Sequence, residues 1–300
     1  MSAELCLDTG LIIVALTVPD TLTRANLASI SAEVTRLLPG GWRIHPVSSA
    51  IAHVRIIVSV TTGHSDVELE GETVRVTLTE TALASPTLAY VTYTVTERAR
   101  QQLGMVTAHA AAVITPDGKA VVLLGDKGAG KTTTAFSLVD KRYRLLGDDL
   151  IILAHRDDGL EVMAGRKLAA VRRVNAVLGY EAKRLVDIAE LTVPGPVRIA
   201  TVVRVSVHPA VTVPTAVLGT PLSVVERLRL HENLARYIAG TPTPLTLEPD
   251  VYGPVYALDT PACAATRAMV IDQLGGLAFH YVHAPTAEHA AGMIEELTTP

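Results

Sequence analysis

The run GDKGAGKTTT, residues 125 to 134, follows the apolar segment AVVLL and holds the residue types best suited to phosphate chemistry in this chain of 300 residues. Gly125, Gly130, Lys131 and Thr132 satisfy the spacing G-x-x-x-x-G-K-[ST]. The glycines, Gly128 included, let the backbone curl so that successive N–H groups point at one phosphate group. Asp126, Lys127, Ala129 and Thr133 complete the stretch whose backbone would line that cradle. The helix expected to follow adds the positive end of its dipole. Lys131 supplies a point charge for the β- and γ-oxygens, and Thr132 a hydroxyl ligand for Mg2+. With 21 glycines in the chain, a chance match in a turn is the alternative. An apolar strand running into the loop and a helical pattern leaving it weigh against chance, and the expectation is nucleotide binding.

Two further groups of polar residues flank the loop. Upstream stands His109 in HAAAV. If TPDG (115 to 118) closes a tight hairpin, counting back sets His109 opposite residues 124 to 126, the mouth of the loop. An imidazole there sits near the phosphates; a strand histidine bonded to a backbone carbonyl is the plainer alternative. Downstream, Asp148 and Asp149 end an apolar strand in YRLLGDDL. Adjacent strand residues point to opposite faces, so one carboxylate alone faces the γ-phosphate unless the strand twists or ends there. Phosphorylation of a hydroxyl needs one acid to accept a proton and another to place the metal. On the residues alone the division between Asp148 and Asp149 stays open. Asp157 and Asp158, in RDDG, fall between two strands and read as a hairpin tip outside the site.

The elements that would position these groups follow from periodicity. The N-terminus through LIIVALTV reads as a strand, Thr21 to Leu38 as a helix, and AHVRIIVSV as a second strand. Residues 66 to 79 read as a hairpin turning at Glu70-Gly71-Glu72, and residues 85 to 104 as a helix. Residues 1 to about 84 are expected to form a small α+β subdomain. Beyond it, VTAHAAAVI and KAVVLLG read as two strands of a hairpin, and RLLGDDLIILAH as one strand that returns through LEVMA. A closing helix is expected near 286 to 297.

Composition narrows the classes. A net charge of −4 and a pI near 6.2, with no long basic run, exclude nucleic acid and an anionic membrane surface as main partners. Mean hydropathy is +0.34, yet no apolar run reaches the roughly 18 residues that a membrane span needs. The N-terminal stretch has no basic flank of a signal peptide, and a cytoplasmic protein is expected. Cys6 and Cys263 are too few for a disulfide framework or a thiolate metal site. His231, in HEN, reads as a surface helix residue, and His280 and His283, in FHYVHA, as edge-strand residues without a carboxylate or thiol to complete a metal site.

The series His109, GDKGAGKT and Asp148-Asp149, with hairpins on both sides, resembles the C-terminal catalytic domain of HPr kinase/phosphorylase. That domain is similar in turn to the core of phosphoenolpyruvate carboxykinase. The resemblance covers residues 88 to 165 and fades beyond them. It implies an α/β (α+β) fold: a P-loop sheet domain with β-hairpins over residues 85 to 300, beside the N-terminal subdomain. It also implies ATP and Mg2+ as cofactors and transfer of a γ-phosphoryl group to an alcohol. By resemblance Asp149 accepts the proton, Asp148 joins Thr132 on the metal, Lys131 holds phosphate, and His109 supports the phosphate end. In the family, later basic residues reach the transferred phosphate. Candidates are Arg166, Lys167, Arg172, Arg173, Lys183 and Arg184; EAKRLVDI resembles a lysine-arginine element that favours Lys183 and Arg184. Members of the family are hexamers, so a homo-oligomer is compatible with the resemblance.

The chain also departs from the family. Residues 165 to 215 hold no match to the glycine-rich, arginine-bearing segment with which the bifunctional enzymes recognise HPr and dephosphorylate it. The expected acceptor is therefore the hydroxyl of a small molecule (nucleoside, sugar or amino acid) or a peptide serine, and the expected setting a biosynthetic pathway. The contrasting reading is a nucleotide-regulated binding or switch protein with no phosphorylated product; the aspartate pair argues against it, since a switch needs no base aimed at an alcohol. A carboxykinase would need a second metal site and the cysteine-bearing loop typical of that enzyme.

Overall fold

Burial alternates along IVALTVP: Val14, Leu16 and Val18 lie inside, while the residues between them are half-buried. That is the pattern of a strand covered on one face. The computed structural model describes residues 2–9, 11–22, 27–28, 31–32, 38–45, 52–83, 87–171, 184–239 and 258–299. The chain divides into two units, Met1–Val106 with Leu234–Arg267, and Thr107–Asn233 with Ala268–Pro300.

The first unit is built on six strands: β1 (Ser2–Asp8), β2 (Ile13–Pro19), β3 (Arg43–His45), β4 (Val54–Thr61), β5 (Asp66–Glu70) and β6 (Thr73–Thr79). Their order is β3-β1-β2-β4-β6-β5. The expected hairpin at residues 66 to 79 is present, with Glu70 opposite Thr73. The strand expected over LIIVALTV stands as β2, and the residues before it form a separate strand, β1. Thr9 turns the chain: its hydroxyl donates to the Ile12 carbonyl (2.8 Å) and accepts from the Ile12 N–H (2.9 Å). The helix expected over Thr21–Leu38 falls largely outside the described residues.

Helix α1 (Thr87–Gln102) fulfils the expectation for residues 85 to 104. Its β-branched residues fit because Thr94 and Thr96 donate to the carbonyls of Tyr90 and Thr92 one turn back. The sequence reading drew its line at residue 84, whereas α1 and Leu234–Arg267 belong to the first unit. Polar bonds tie them together: Gln101 Nε2 donates to the Leu234 carbonyl (3.0 Å), and Arg267 Nη1 to Gln101 Oε1 (2.7 Å).

The second unit opens with β7 (Met105–Ala108), β8 (Ala111–Ile114) and β9 (Ala120–Leu124), then α2 (Lys131–Val139). Next come β10 (Arg144–Gly147), β11 (Ile151–Arg156), β12 (Gly159–Gly165), β13 (Leu168–Val171) and β14 (Arg184–Asp187). Then follow β15 (Val197–Val207), β16 (Thr215–Leu218), α3 (Val224–Ala235), α4 (Pro261–Gly275), β17 (Ala278–Ala284) and α5 (Ala287–Thr298), the last two residues of α3 and the first seven of α4 belonging to the first unit. The strand order is β10-β8-β9-β15-β12-β11-β7, with β17 on β15 and β16 on β17, and β13-β14 a separate ribbon.

The long β15 joins two sheet portions. Only Val197 and Arg198 pair with β12, while later residues pair in parallel with β9 and β17. Two expected strands are broken accordingly. VTAHAAAVI becomes β7 and β8, interrupted at His109-Ala110, and RLLGDDLIILAH becomes β10 and β11, interrupted at Asp148–Leu150. In both places the chain leaves one sheet portion and enters the other: β7 and β11 are neighbours, and so are β8 and β10. An apolar run carries no mark of such a passage. The β8–β9 and β11–β12 hairpins stand as expected, with Asp157-Asp158 at the tip of the second.

Ala135 and Leu138 of α2 and Ala290, Ala291 and Ile294 of α5 pack in one core with Leu123, Val203, Val205 and Val282. Leu138 and Ile294 are fully buried, each worth about 1.5–3 kcal/mol in removal from water. β17 lies between β15 and β16, which corrects the edge position expected for His280 and His283. Burial pushes the His280 imidazole below its ordinary pKa. Among the described residues no helix is long and apolar enough to cross a membrane.

Candidate active site

Strand β9 runs directly into the glycine-rich loop, and Gly130 caps α2 at a φ of 90°. That left-handed conformation suits glycine, and a Cβ there would stand 2.8 Å from the Val207 side chain. The Val207 N–H donates to the Ala129 carbonyl (3.0 Å), so the end of β15 pins the back of the loop. Lys131 is buried, its Nζ donating to the carbonyls of Gly125 (2.8 Å) and Asp126 (3.3 Å). Asp126, Lys127, Gly128 and Thr133 are exposed, and Ala129 and Gly130 half-buried. The Thr132 hydroxyl lies 3.0 and 2.9 Å from the two carboxylate oxygens of Asp148.

The acidic pair is placed by two glycines. Gly147 ends β10 and Gly165 ends β12, and a Cβ on either would fall 2.3 or 2.4 Å from the other's Cα. No side chain fits where these strands cross. Immediately after the crossing, the Asp148 N–H donates to the Arg166 carbonyl (3.3 Å) and the Arg166 N–H to the Leu150 carbonyl (2.8 Å). Between them the Leu150 N–H closes a three-residue turn onto the Asp148 carbonyl (2.8 Å), with Asp149 at its centre at φ 66°. A positive φ on a non-glycine residue is uncommon, though aspartate tolerates it better than most.

The turn separates the two carboxylates, as the condition that the strand end there required. Asp148 goes to Thr132. Among the described residues Asp149 meets a histidine and an arginine: His109 Nε2 is 2.9 Å from its Oδ1, and Arg166 Nη1 donates to its Oδ2 at 2.5 Å. Asp148 is 1% exposed, and its pKa is raised. Burial is the main cause, opposed by the Thr132 hydroxyl, reinforced by the charge of Asp149, and opposed again by Lys131. Asp149 keeps 28% of its side chain exposed, enough to be reached from solvent.

A hydroxyl and a carboxylate side by side at the mouth of the glycine-rich loop are hard oxygen donors. Mg2+ is commonly held by one or two carboxylates together with substrate phosphates and water, so Thr132 and Asp148 fit that ion. A buried carboxyl pushed toward protonation is a group that a divalent cation would return to its ionised form. Among the described residues no cluster of three or more His, Cys, Asp or Glu forms an all-protein metal cage.

Of the later basic candidates, Arg166 reaches the site. Lys183, with Arg172 and Arg173, lies outside the described residues. Lys167 is exposed; Arg184 opens β14, exposed and paired across the ribbon with Val171, and no hydrogen bond or ion pair joins it to the loop or to Asp149. His109 sits in the gap between β7 and β8 rather than in a continuous strand, and its backbone is bonded to Asn233 of α3. Sequence reasoning passed over Gly147, Gly165 and Asn233. The first two carried a signal, each standing just before a charged pair in GDD and GRK. Asn233 stood in HEN, where only the histidine was weighed.

No protein-family model matches the chain, and no curated protein matches it. Among solved structures it is similar to the HPr(Ser) kinase/phosphatase from Coxiella burnetii, at 18% identity and a TM-score of 0.25, over 33% of this chain and 63% of that chain. The chain thus spans less than two thirds of that relative.

Proposed function

We propose that the chain is an ATP- and Mg2+-dependent phosphotransferase that carries the γ-phosphoryl group to a hydroxyl, either of a small molecule (nucleoside, sugar or amino acid) or of a peptide serine. The observation that carries this reading is Asp149: a half-exposed carboxylate on a positive-φ turn, steadied by His109 and Arg166, adjacent in sequence to the Asp148 that bonds Thr132 of the phosphate loop. Lys131 and the loop N–H groups hold the phosphates; Lys131 exchanges the Gly125 and Asp126 carbonyls for phosphate oxygens. Thr132 and Asp148 would hold Mg2+, which would supply charge neutralisation for the phosphoryl group.

Asp149 accepts the proton of the acceptor hydroxyl. The acceptor oxygen bonds to the γ-phosphorus, the bond from that phosphorus to the bridging oxygen breaks, and ADP leaves with the electron pair. His109 and Arg166 fix the direction of the carboxylate, which matters because positioning supplies much of the rate in phosphoryl transfer. A positioned base of this kind contributes roughly 10²–10⁴-fold.

The test is incubation with Mg2+ and γ-labelled ATP across nucleosides, sugars, amino acids, serine peptides and HPr. Label moving to one acceptor, and lost in Asp149→Asn, is the expected result. Undiminished transfer by Asp149→Asn would remove Asp149 from the mechanism.

A further inference from the structure

We infer that Asn233 is a positioning residue for His109 and, through it, for Asp149; its consequence for rate rests on the phosphotransferase reading, its geometry does not. His109 stands where the chain passes from β7, beside β11, to β8, beside β9 and β10. A residue making that passage leaves one ladder before it joins the next, yet its backbone N–H and C=O still need partners. Asn233 supplies both. Its Oδ1 accepts from the His109 N–H at 2.8 Å, and its Nδ2 donates to the His109 carbonyl at 3.3 Å. A carboxamide offers donor and acceptor on one rigid plane, so a single side chain does for His109 what a neighbouring strand would do.

The helix that presents Asn233 is itself anchored to the strands behind the phosphate loop. Buried Glu226 of α3 accepts from Arg204 Nε (2.9 Å) on β15 and from the Tyr281 hydroxyl (3.2 Å) on β17. Arg204 is the register partner of Leu124, the last residue before the loop. The His109 ring is thereby referenced to the loop's own strands through α3, and its Nε2 meets Asp149 Oδ1. Neither HEN nor any motif of the loop marks this connection.

The test uses full-length protein labelled with 15N-histidine, the imidazole signals of His109 being assigned by their loss in His109→Gln. In the wild-type background Asp149→Asn shifts those signals. With Asn233→Ala that response is expected to fall by half or more; an undiminished response overturns the inference. Asn233→Asp guards against a folding failure. It keeps the volume and the acceptor but turns an oxygen toward the His109 carbonyl, so an intermediate response is expected, and one equal to wild type counts against the inference. Where MgATP turnover is measurable, Asn233→Ala should lower kcat about 10- to 100-fold with KM for ATP nearly unchanged. Added to His109→Ala, it should cost nothing further. An additive loss would show that Asn233 acts by another route. Absence of any phosphoryl transfer would defeat the enzymatic reading alone, since the imidazole signals decide the positioning by themselves.

Discussion

Two polar clusters in this chain look alike in composition and differ in construction. In the first unit Arg267, 1% exposed, meets Gln101 and both oxygens of Asp259, while Gln101 also binds Glu97 and the Leu234 carbonyl. In the second unit Arg166 and His109 grip the two oxygens of Asp149. The first cluster hangs on helical backbone, with α1 on one side and α4 on the other. The second hangs on a turn with positive φ, where two strands cross too closely for any side chain. A buried hydrogen-bonded network between helices serves packing and specificity of the fold. A carboxylate on a positive-φ turn, partly open to solvent and held by an arginine and a histidine, is where the proposed chemistry would act.

Mutations can break or sharpen that contrast. Asp149→Asn should lower phosphoryl transfer about 10²–10⁴-fold, or roughly 3–5 kcal/mol in transition-state terms, while urea denaturation finds stability little changed. Asparagine also tolerates the positive φ. Arg267→Ala should do the reverse. It leaves Gln101 Oε1 without its donor, Asp259 with the Thr260 N–H, and a cavity where the buried side chain stood, and should cost about 2–4 kcal/mol of stability, with nucleotide affinity of the surviving folded protein unaltered. If Arg267→Ala abolished nucleotide binding in protein shown to be folded, the division into a structural and a chemical cluster would fail.

Gly165→Ala should hurt on both counts. Its Cβ would strike the Gly147 backbone, and a cost of roughly 1–3 kcal/mol should accompany a fall in transfer, since the Asp148–Leu150 turn must shift. Asp148→Asn separates stability from function in the other direction. The folded pKa of Asp148 is raised above its ordinary 3.8, so its contribution to stability is full below that value and is lost as pH rises through the raised pKa. At neutral pH the neutral amide should therefore raise stability by roughly 0.5–2 kcal/mol, with the gain shrinking as pH falls toward 4, and Mg2+-dependent nucleotide affinity should drop. Calorimetric melting at pH 4 and pH 7.5 checks the sign. Asp158→Ala, at the exposed hairpin tip where Asp158 pairs with Arg198, should change stability by less than about 0.5 kcal/mol.

What the sequence made legible was local. AVVLL, the glycine spacing and the helical pattern after it placed a strand, a loop and α2 where they stand, and TPDG and RDDG placed two hairpins. What it hid was the passage between sheet portions. VTAHAAAVI is apolar on both sides of His109, so periodicity gave no reason to break it. Asp148 and Asp149, expected at the end of a strand, proved to be the middle of a connection whose shape depends on Gly165, well downstream. Arg166 was one basic residue among six until its backbone was seen tied to both sides of the turn. Asn233 lies 124 positions from the peptide it braces, beyond the reach of any local pattern.

That last separation bears on how the protein is made. During synthesis the glycine loop, the aspartate turn and Arg166 leave the ribosome well before α3 does. At about 5–20 residues per second, on the order of ten seconds pass before Asn233 follows Lys131 out. Val207, whose N–H holds the loop, leaves late in that interval, and the histidine peptide lacks its brace until the interval ends. The arrangement around Asp149 is then incomplete until a late helix arrives, and a chain truncated before it would bear every recognisable motif and still lack the brace.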